Sequence, residues 1–183
     1  LDGNQFEIYN KISRNYTHSF LFESLTGPEE LSETSIMGFD PELIVKGYYD
    51  KVTIESRDGT VETISTSDPL NKIKELVLKT PDQTYRYLGG AVGHINYDAI
   101  RLWEKIPKNH PINEPIMEFG IYTDGILFDN KQKKSFYFYY ERNRVDEIKS
   151  SESKFDEFTM SEITSNLDEE KFTSVVEKAK KYI

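Results

Sequence analysis

An α+β fold, with largely antiparallel β-sheets packed with a few helices, is what the sequence predicts. Three observations carry it: short strand-like runs follow one another as hairpins, only separated stretches show a helical apolar stripe, and 12 Tyr and 11 Phe suit pleated surfaces. The elements follow in order.

Thr17 to Glu23 reads as a strand with Phe20 and Phe22 on one side and Leu21 on the other, turned by Gly27-Pro28. Ser35 to Phe39 is a second strand, and after the Asp40-Pro41 break Leu43 to Tyr49 is a third. Lys51 to Ser56 and Thr60 to Ser65 flank Arg57-Asp58-Gly59 as a hairpin, with Val52, Ile54, Val61 and Ile64 apolar. Asp68 and Pro69 fit an N-cap and first helical residue, and Leu70, Ile73, Leu76 and Val77 share a face that should end near Thr80-Pro81. Tyr85 to Tyr97 is strand-like but carries Gly89, Gly90 and Gly93, so the backbone there bulges or packs closely. Ile121 to Phe128 and Lys134 to Tyr140 flank Asp129-Asn130-Lys131 as a second hairpin. Residues 141–165 are charged and serine-rich and read as a mobile segment. Asp168 caps a last helix with Phe172, Val175, Val176, Ala179 and Ile183 on one face.

A chain of 183 residues with 37% hydrophobic content can bury a real core. The net charge of −9 argues against a nucleic-acid or anionic-lipid partner, because phosphate binding needs Lys and Arg in local excess. No apolar run approaches the roughly 20 residues that cross a bilayer. With no cysteine there is no disulfide, thiolate nucleophile or Cys-based zinc site, and a cytoplasmic location is expected.

Candidate chemistry is sparse. The three histidines, His18, His94 and His110, are scattered without ligand spacing, so no metal site is assigned. Gly89-Gly90-Ala91-Val92-Gly93 lacks the Gly-Lys-Ser/Thr ending of a phosphate loop. Asp98, Arg101 and Glu104 have intrahelical pairing distances and read as structural, while Trp103 and His94 are expected to pack.

Two blocks stand out. Leu21-Phe22-Glu23-Ser24, Gly27-Pro28 and Ser35-Ile36-Met37-Gly38 form the first. The second runs from Tyr87-Leu88-Gly89-Gly90 through Gly93-His94-Ile95-Asn96-Tyr97-Asp98 to Glu104-Lys105-Ile106-Pro107. In order and spacing they resemble the amino-terminal part of anthranilate synthase component I, and the fold is expected to be like that domain. The last helix is similar to the one that precedes the chorismate-binding catalytic region of these enzymes.

The resemblance implies that Phe22, Glu23, Ser24 and Thr34 border a site for tryptophan as feedback inhibitor. A carboxylate can pair with an α-ammonium and a hydroxyl can add a hydrogen bond. Taken alone, the same residues are a strand end making a turn. Many family members have Arg-Tyr before the second serine, whereas this chain has Glu33 and Thr34 before Ser35, which removes an aromatic wall.

For the complete enzyme the resemblance implies conversion of chorismate and ammonia to anthranilate and pyruvate, Mg2+ as cofactor, and ammonia from a glutamine amidotransferase subunit, component II. No catalytic or metal residue is assigned to this chain. Residues 1–165 are expected to be a regulatory domain and 166–183 a helix leading into a catalytic domain beyond Ile183. The first residue, Leu1, and the helix still running at Ile183 suggest a truncated, inactive portion. Aminodeoxychorismate synthase component I, or a stand-alone small-molecule-sensing module, are the alternatives.

Overall fold

The computed structural model describes residues 4–24, 33–79, 85, 87–107, 113–150, 161–162 and 164–182. The chain forms two compact units, Leu1–Ser153 and Lys154–Ile183.

The first unit opens with a helix that its sequence signals only locally. In α1 (Gln5–Asn15) the Asn4 side chain accepts from Phe6 and Glu7 N–H groups at 3.0 Å each. The Glu7 carboxylate returns the bond to Asn4 N–H at 3.1 Å, closing a capping box. Ile8 and Ile12 are its buried face.

Among the described residues nine strands follow: β1 (Ser19–Phe22), β2 (Thr34–Phe39), β3 (Leu43–Gly47), β4 (Lys51–Ser56), β5 (Val61–Ser65), β6 (Gly90–Ile95), β7 (Met117–Tyr122), β8 (Asp124–Asp129) and β9 (Lys134–Tyr139). They make a four-stranded sheet, β1-β2-β8-β9, and a five-stranded sheet, β5-β4-β3-β7-β6, with every pair antiparallel. The α+β reading therefore holds.

The chain crosses between sheets twice, at Asp40-Pro41 between β2 and β3 and at Thr123 between β7 and β8. The run expected as one strand, Ile121 to Phe128, is thus two half-strands in different sheets. Thr123-Asp124-Gly125 interrupts the apolar residues of that run with an Asp-Gly step of the kind that marks turns, but nothing local shows that the flanking strands enter different sheets.

Each sheet has its own core. Ile8, Ile12 and Ile148 pack on Met37, Phe39, Ile126 and Phe128 of the smaller sheet. Val45, Val52, Ile54, Met117 and Ile121 of the larger sheet pack with Ile73 of α2 (Pro69–Leu76), Ala99 and Ile116. Asp68 caps α2 as expected, accepting from Asn71 N–H at 3.0 Å. The helix ends at Leu76, short of Thr80-Pro81.

The Tyr85 to Tyr97 run narrows to β6, and Gly93 explains its composition: a Cβ there would collide with the Glu118 carbonyl of β7. A 3-10 helix, Tyr97–Leu102, then carries the expected Asp98–Arg101 pair at 3.2 Å. Trp103 does not pack as expected, being 59% exposed, and His94 is also exposed on the strand edge.

The segment expected to be mobile contains a helix, α3 (Val145–Ser150), with Ile148 buried and Arg144 just before it buried too. Two buried side chains were hidden among the charges; the rest of that expectation, residues 151–160, lies outside the described residues. In the second unit, α4 (Glu169–Lys180) is capped by Asp168, which accepts from Lys171 N–H at 2.8 Å. Among the described residues no helix is long and apolar enough to cross a membrane.

Candidate functional site

Antiparallel pairing of β1 and β2 sets Phe22 opposite Ile36. Ser24 and Thr34 therefore meet at one end of the four-stranded sheet, where Thr34 also pairs with Asp129 of β8. The connecting residues 25–32 lie outside the described residues.

Ser35 organises this end. It is fully buried, and its Oγ accepts from Ser24 N–H at 3.2 Å and from Asn130 Nδ2 at 3.3 Å. Asn130 Nδ2 also reaches the Ser24 carbonyl at 3.4 Å, while Asn130 N–H donates to the Glu33 carbonyl at 2.8 Å. Asn130 thus ties the end of β1 to the start of β2. Glu33 pairs through its side chain with Lys131.

The four predicted residues do not share one environment. Phe22 is 55% exposed and packs on Phe20, ring centroids 4.9 Å apart, on the face opposite Leu21. Glu23 instead accepts a hydrogen bond from the Gln5 side-chain amide of α1. A carboxylate offers about four lone-pair sites, so this contact orients Glu23 and leaves it acceptor capacity. Phe22, Ser24 and Thr34 converge, whereas Glu23 is drawn to α1, on the other face of this sheet end.

Sequence reasoning missed Gln5, Ser35 and Asn130 as parts of this end. Asn130 sits in a hairpin turn, where asparagine is expected for backbone reasons alone. Gln5 needed the unpredicted α1, whose signal was the Asn4-x-x-Glu7 box.

A second cluster lies at the two sheet crossovers. Arg144 is 2% exposed; its Nε and Nη2 donate to Asp124 at 2.8 and 2.6 Å, and its Nη1 reaches Asp40 at 2.7 Å. Nη2 also donates to the Phe39 carbonyl at 3.2 Å, and the guanidinium lies 4.2 Å from the Phe39 ring centroid. Tyr137 donates to Asp124 at 2.6 Å, and Arg57 adds a second cation to Asp40 at 3.0 Å.

Burial alone would lower the Arg144 pKa, but the Asp124 hydrogen bonds and the Asp124 and Asp40 charges outweigh it, and the pKa is raised. Burial first, then the bond to Asp124, pushes Tyr137 up to about 12. A cluster so densely ion-paired holds strands together rather than reacting. It clamps both crossovers, because Asp40 follows β2 and Asp124 opens β8. A groove of about 310 Å3 beside His18, Asp40 and Arg57 borders this cluster and not Ser24.

Comparison with known proteins gives the family. A model of the chorismate binding enzyme family matches residues 17–183. Anthranilate synthase component 1 of Methanothermobacter thermautotrophicus is 32% identical over 143 residues, which is 78% of this chain and 30% of that protein. The protein of the same name from Leptospira biflexa is 29% identical over 188 residues, 97% of this chain and 39% of its own length. Among solved structures, anthranilate synthase component I from Streptococcus pneumoniae TIGR4 is 22% identical with a TM-score of 0.48, covering 88% of this chain and 31% of that one. The chain spans about a third of the length of the curated relatives it matches. With nearly all of its length matched by the family model and relatives of one name along most of it, the chain belongs to the chorismate binding enzymes, alongside anthranilate synthase component I.

Proposed function

We propose that this chain is the amino-terminal, feedback-regulatory part of an anthranilate synthase component I, with tryptophan as its ligand. The observation that carries this reading is the convergence of Phe22, Ser24 and Thr34 at the end of the four-stranded sheet, with Glu23 beside them. A half-exposed ring, two hydroxyls and a carboxylate match an aromatic amino acid group by group. Phe22 offers an edge or face to indole, the hydroxyls bond the ligand carboxylate, and Glu23 pairs with the α-ammonium. For that role Glu23 turns from Gln5 of α1 towards the Phe22 face.

In the complete protein, chorismate and ammonia would yield anthranilate and pyruvate, with ammonia from component II. Tryptophan would act by favouring one arrangement of the regulatory and catalytic parts. Residues 166–183 would lead into the catalytic part, and the cytoplasm would be the working compartment. The resemblance also implies Mg2+ in the complete enzyme. The described residues gather no group of three or more His, Cys, Asp or Glu fit to hold a metal.

The test is calorimetric titration with L-tryptophan, with L-phenylalanine as control, repeated on Glu23→Ala and Ser24→Ala. A hydrogen bond to a charged group contributes about 1.5–3 kcal/mol. Each substitution should then weaken tryptophan binding roughly tenfold or more. No heat at millimolar tryptophan, or equal affinity in all three proteins, would overturn the reading.

A further inference from the structure

Phe20 on β1 and Phe138 on β9 share the face of the four-stranded sheet turned away from α1, since Leu21 and Tyr137 pack on the α1 side. Phe20 pairs with Gly38 and Phe138 with Gly125. Each ring lies over the glycine opposite it: a Cβ at Gly38 would collide with the Phe20 ring, and one at Gly125 would meet the Phe138 ring at 2.9 Å.

Tyr87 contacts both rings. Its ring stands edge-on to both neighbours, 6.1 Å and 88° from Phe20 and 5.7 Å and 78° from Phe138. Aromatic pairs favour this arrangement. The hydroxyl, however, is buried with no hydrogen-bond partner among the described residues, so the docked state carries a penalty.

The chain around Tyr87 is built to turn. The Leu88 carbonyl accepts from the Tyr140 hydroxyl at 2.8 Å. Gly89 and Gly90 follow with φ of 92° and 127°, values that residues with side chains rarely adopt, and Gly90 opens β6. Among the described residues β6 is an edge strand, paired only with β7. At the other end, Phe20 touches Phe22 at 4.9 Å. Phe22, Phe20, Tyr87 and the glycine pair therefore run without a gap from the candidate ligand end of one sheet to the edge of the other.

We propose that Tyr87 is a latch: its ring, docked between Phe20 and Phe138, holds β6 on the larger sheet, and an aromatic ligand packed on Phe22 tightens it through Phe20. The ligand half of this statement rests on the reading of Phe22 given above, whereas the latch itself does not.

Hydrogen exchange of the Gly90–Ile95 amides tests both halves in the chain, in Tyr87→Phe and in Tyr87→Ala, with the β4–β5 hairpin as internal control. Tyr87→Phe keeps the ring and removes the unpaired hydroxyl, so β6 exchange should slow at least about fivefold. Tyr87→Ala should speed β6 exchange tenfold or more while the hairpin changes less. Equal β6 exchange in all three proteins, or parallel acceleration of β6 and hairpin in Tyr87→Ala, would overturn the latch. L-tryptophan should slow β6 exchange in the unsubstituted chain and not in Tyr87→Ala. Tryptophan that binds by calorimetry yet leaves β6 exchange unchanged would overturn the coupling and spare the site. Absence of binding would overturn the site and leave the latch to the unliganded comparison.

Discussion

Replacing Arg144 with methionine should be the most damaging single change to the fold outside the apolar core. The Arg144 side chain is 1% exposed and that of Asp124 is 5%, so water screens their interaction very little. Methionine preserves much of the aliphatic volume but strips Asp124 of two donors and Asp40 of one. Breaking a buried pair from one side costs about 3–5 kcal/mol, because the remaining charge stays desolvated. For a chain of this size each kcal/mol moves Tm by roughly 2–4 °C, so the midpoint should fall by roughly 6–20 °C. Arg57 still faces Asp40 at 3.0 Å, so the loss should concentrate at Asp124 and the β7–β8 crossover. Thermal and urea unfolding followed by circular dichroism measure it. A loss below about 1 kcal/mol, the value of an exposed pair, would refute the argument that this cluster clamps the crossovers.

Three further outcomes follow from the same structure. Asn4→Ala removes the acceptor of two α1 N–H groups and should cost about 1 kcal/mol by urea unfolding; an unchanged midpoint would show that the cap is not formed in solution. Gly93→Ala drives a Cβ into the Glu118 carbonyl and should destabilise by about 1–3 kcal/mol, with β6 amides losing exchange protection first. Tyr122 and Tyr137 are both pushed up to about 12 from 10.0, chiefly by burial. A pKa raised in the folded state contributes stability that is present below pH 10 and is lost as pH rises towards 12. Tm should therefore fall between those values, and Tyr122→Phe should flatten the fall; an identical alkaline profile in the variant would contradict it.

The strands and their hairpins were legible because alternation and turn chemistry act over a few residues. Val52 and Ile54 against Glu55, with Gly59 at φ 86°, is a local pattern. What was not legible is everything decided by distant partners. Arg144 sits among Asp146, Glu147 and Lys149 and looks solvated until Asp40 and Asp124 are brought to it from over a hundred and from twenty residues away. The break at Thr123 is marked locally by Thr123-Asp124-Gly125, but that its two sides belong to different sheets is decided only by the distant strands they pair with. At the candidate site, Phe22 to Ser24 and Thr34 came from resemblance, while Asn130 and Gln5 became visible only once strand pairing and α1 placed them against those residues. Trp103 illustrates the reverse failure: an apolar ring in a short helical turn implies packing, and it is exposed.

The most direct test of the regulatory reading is an amide chemical-shift map of this chain titrated with L-tryptophan. The account predicts saturable shifts centred on Phe22–Ser24, Thr34–Ser35 and Asn130, absent with L-phenylalanine at the same concentration. Shifts centred elsewhere, or none at millimolar tryptophan, would contradict it.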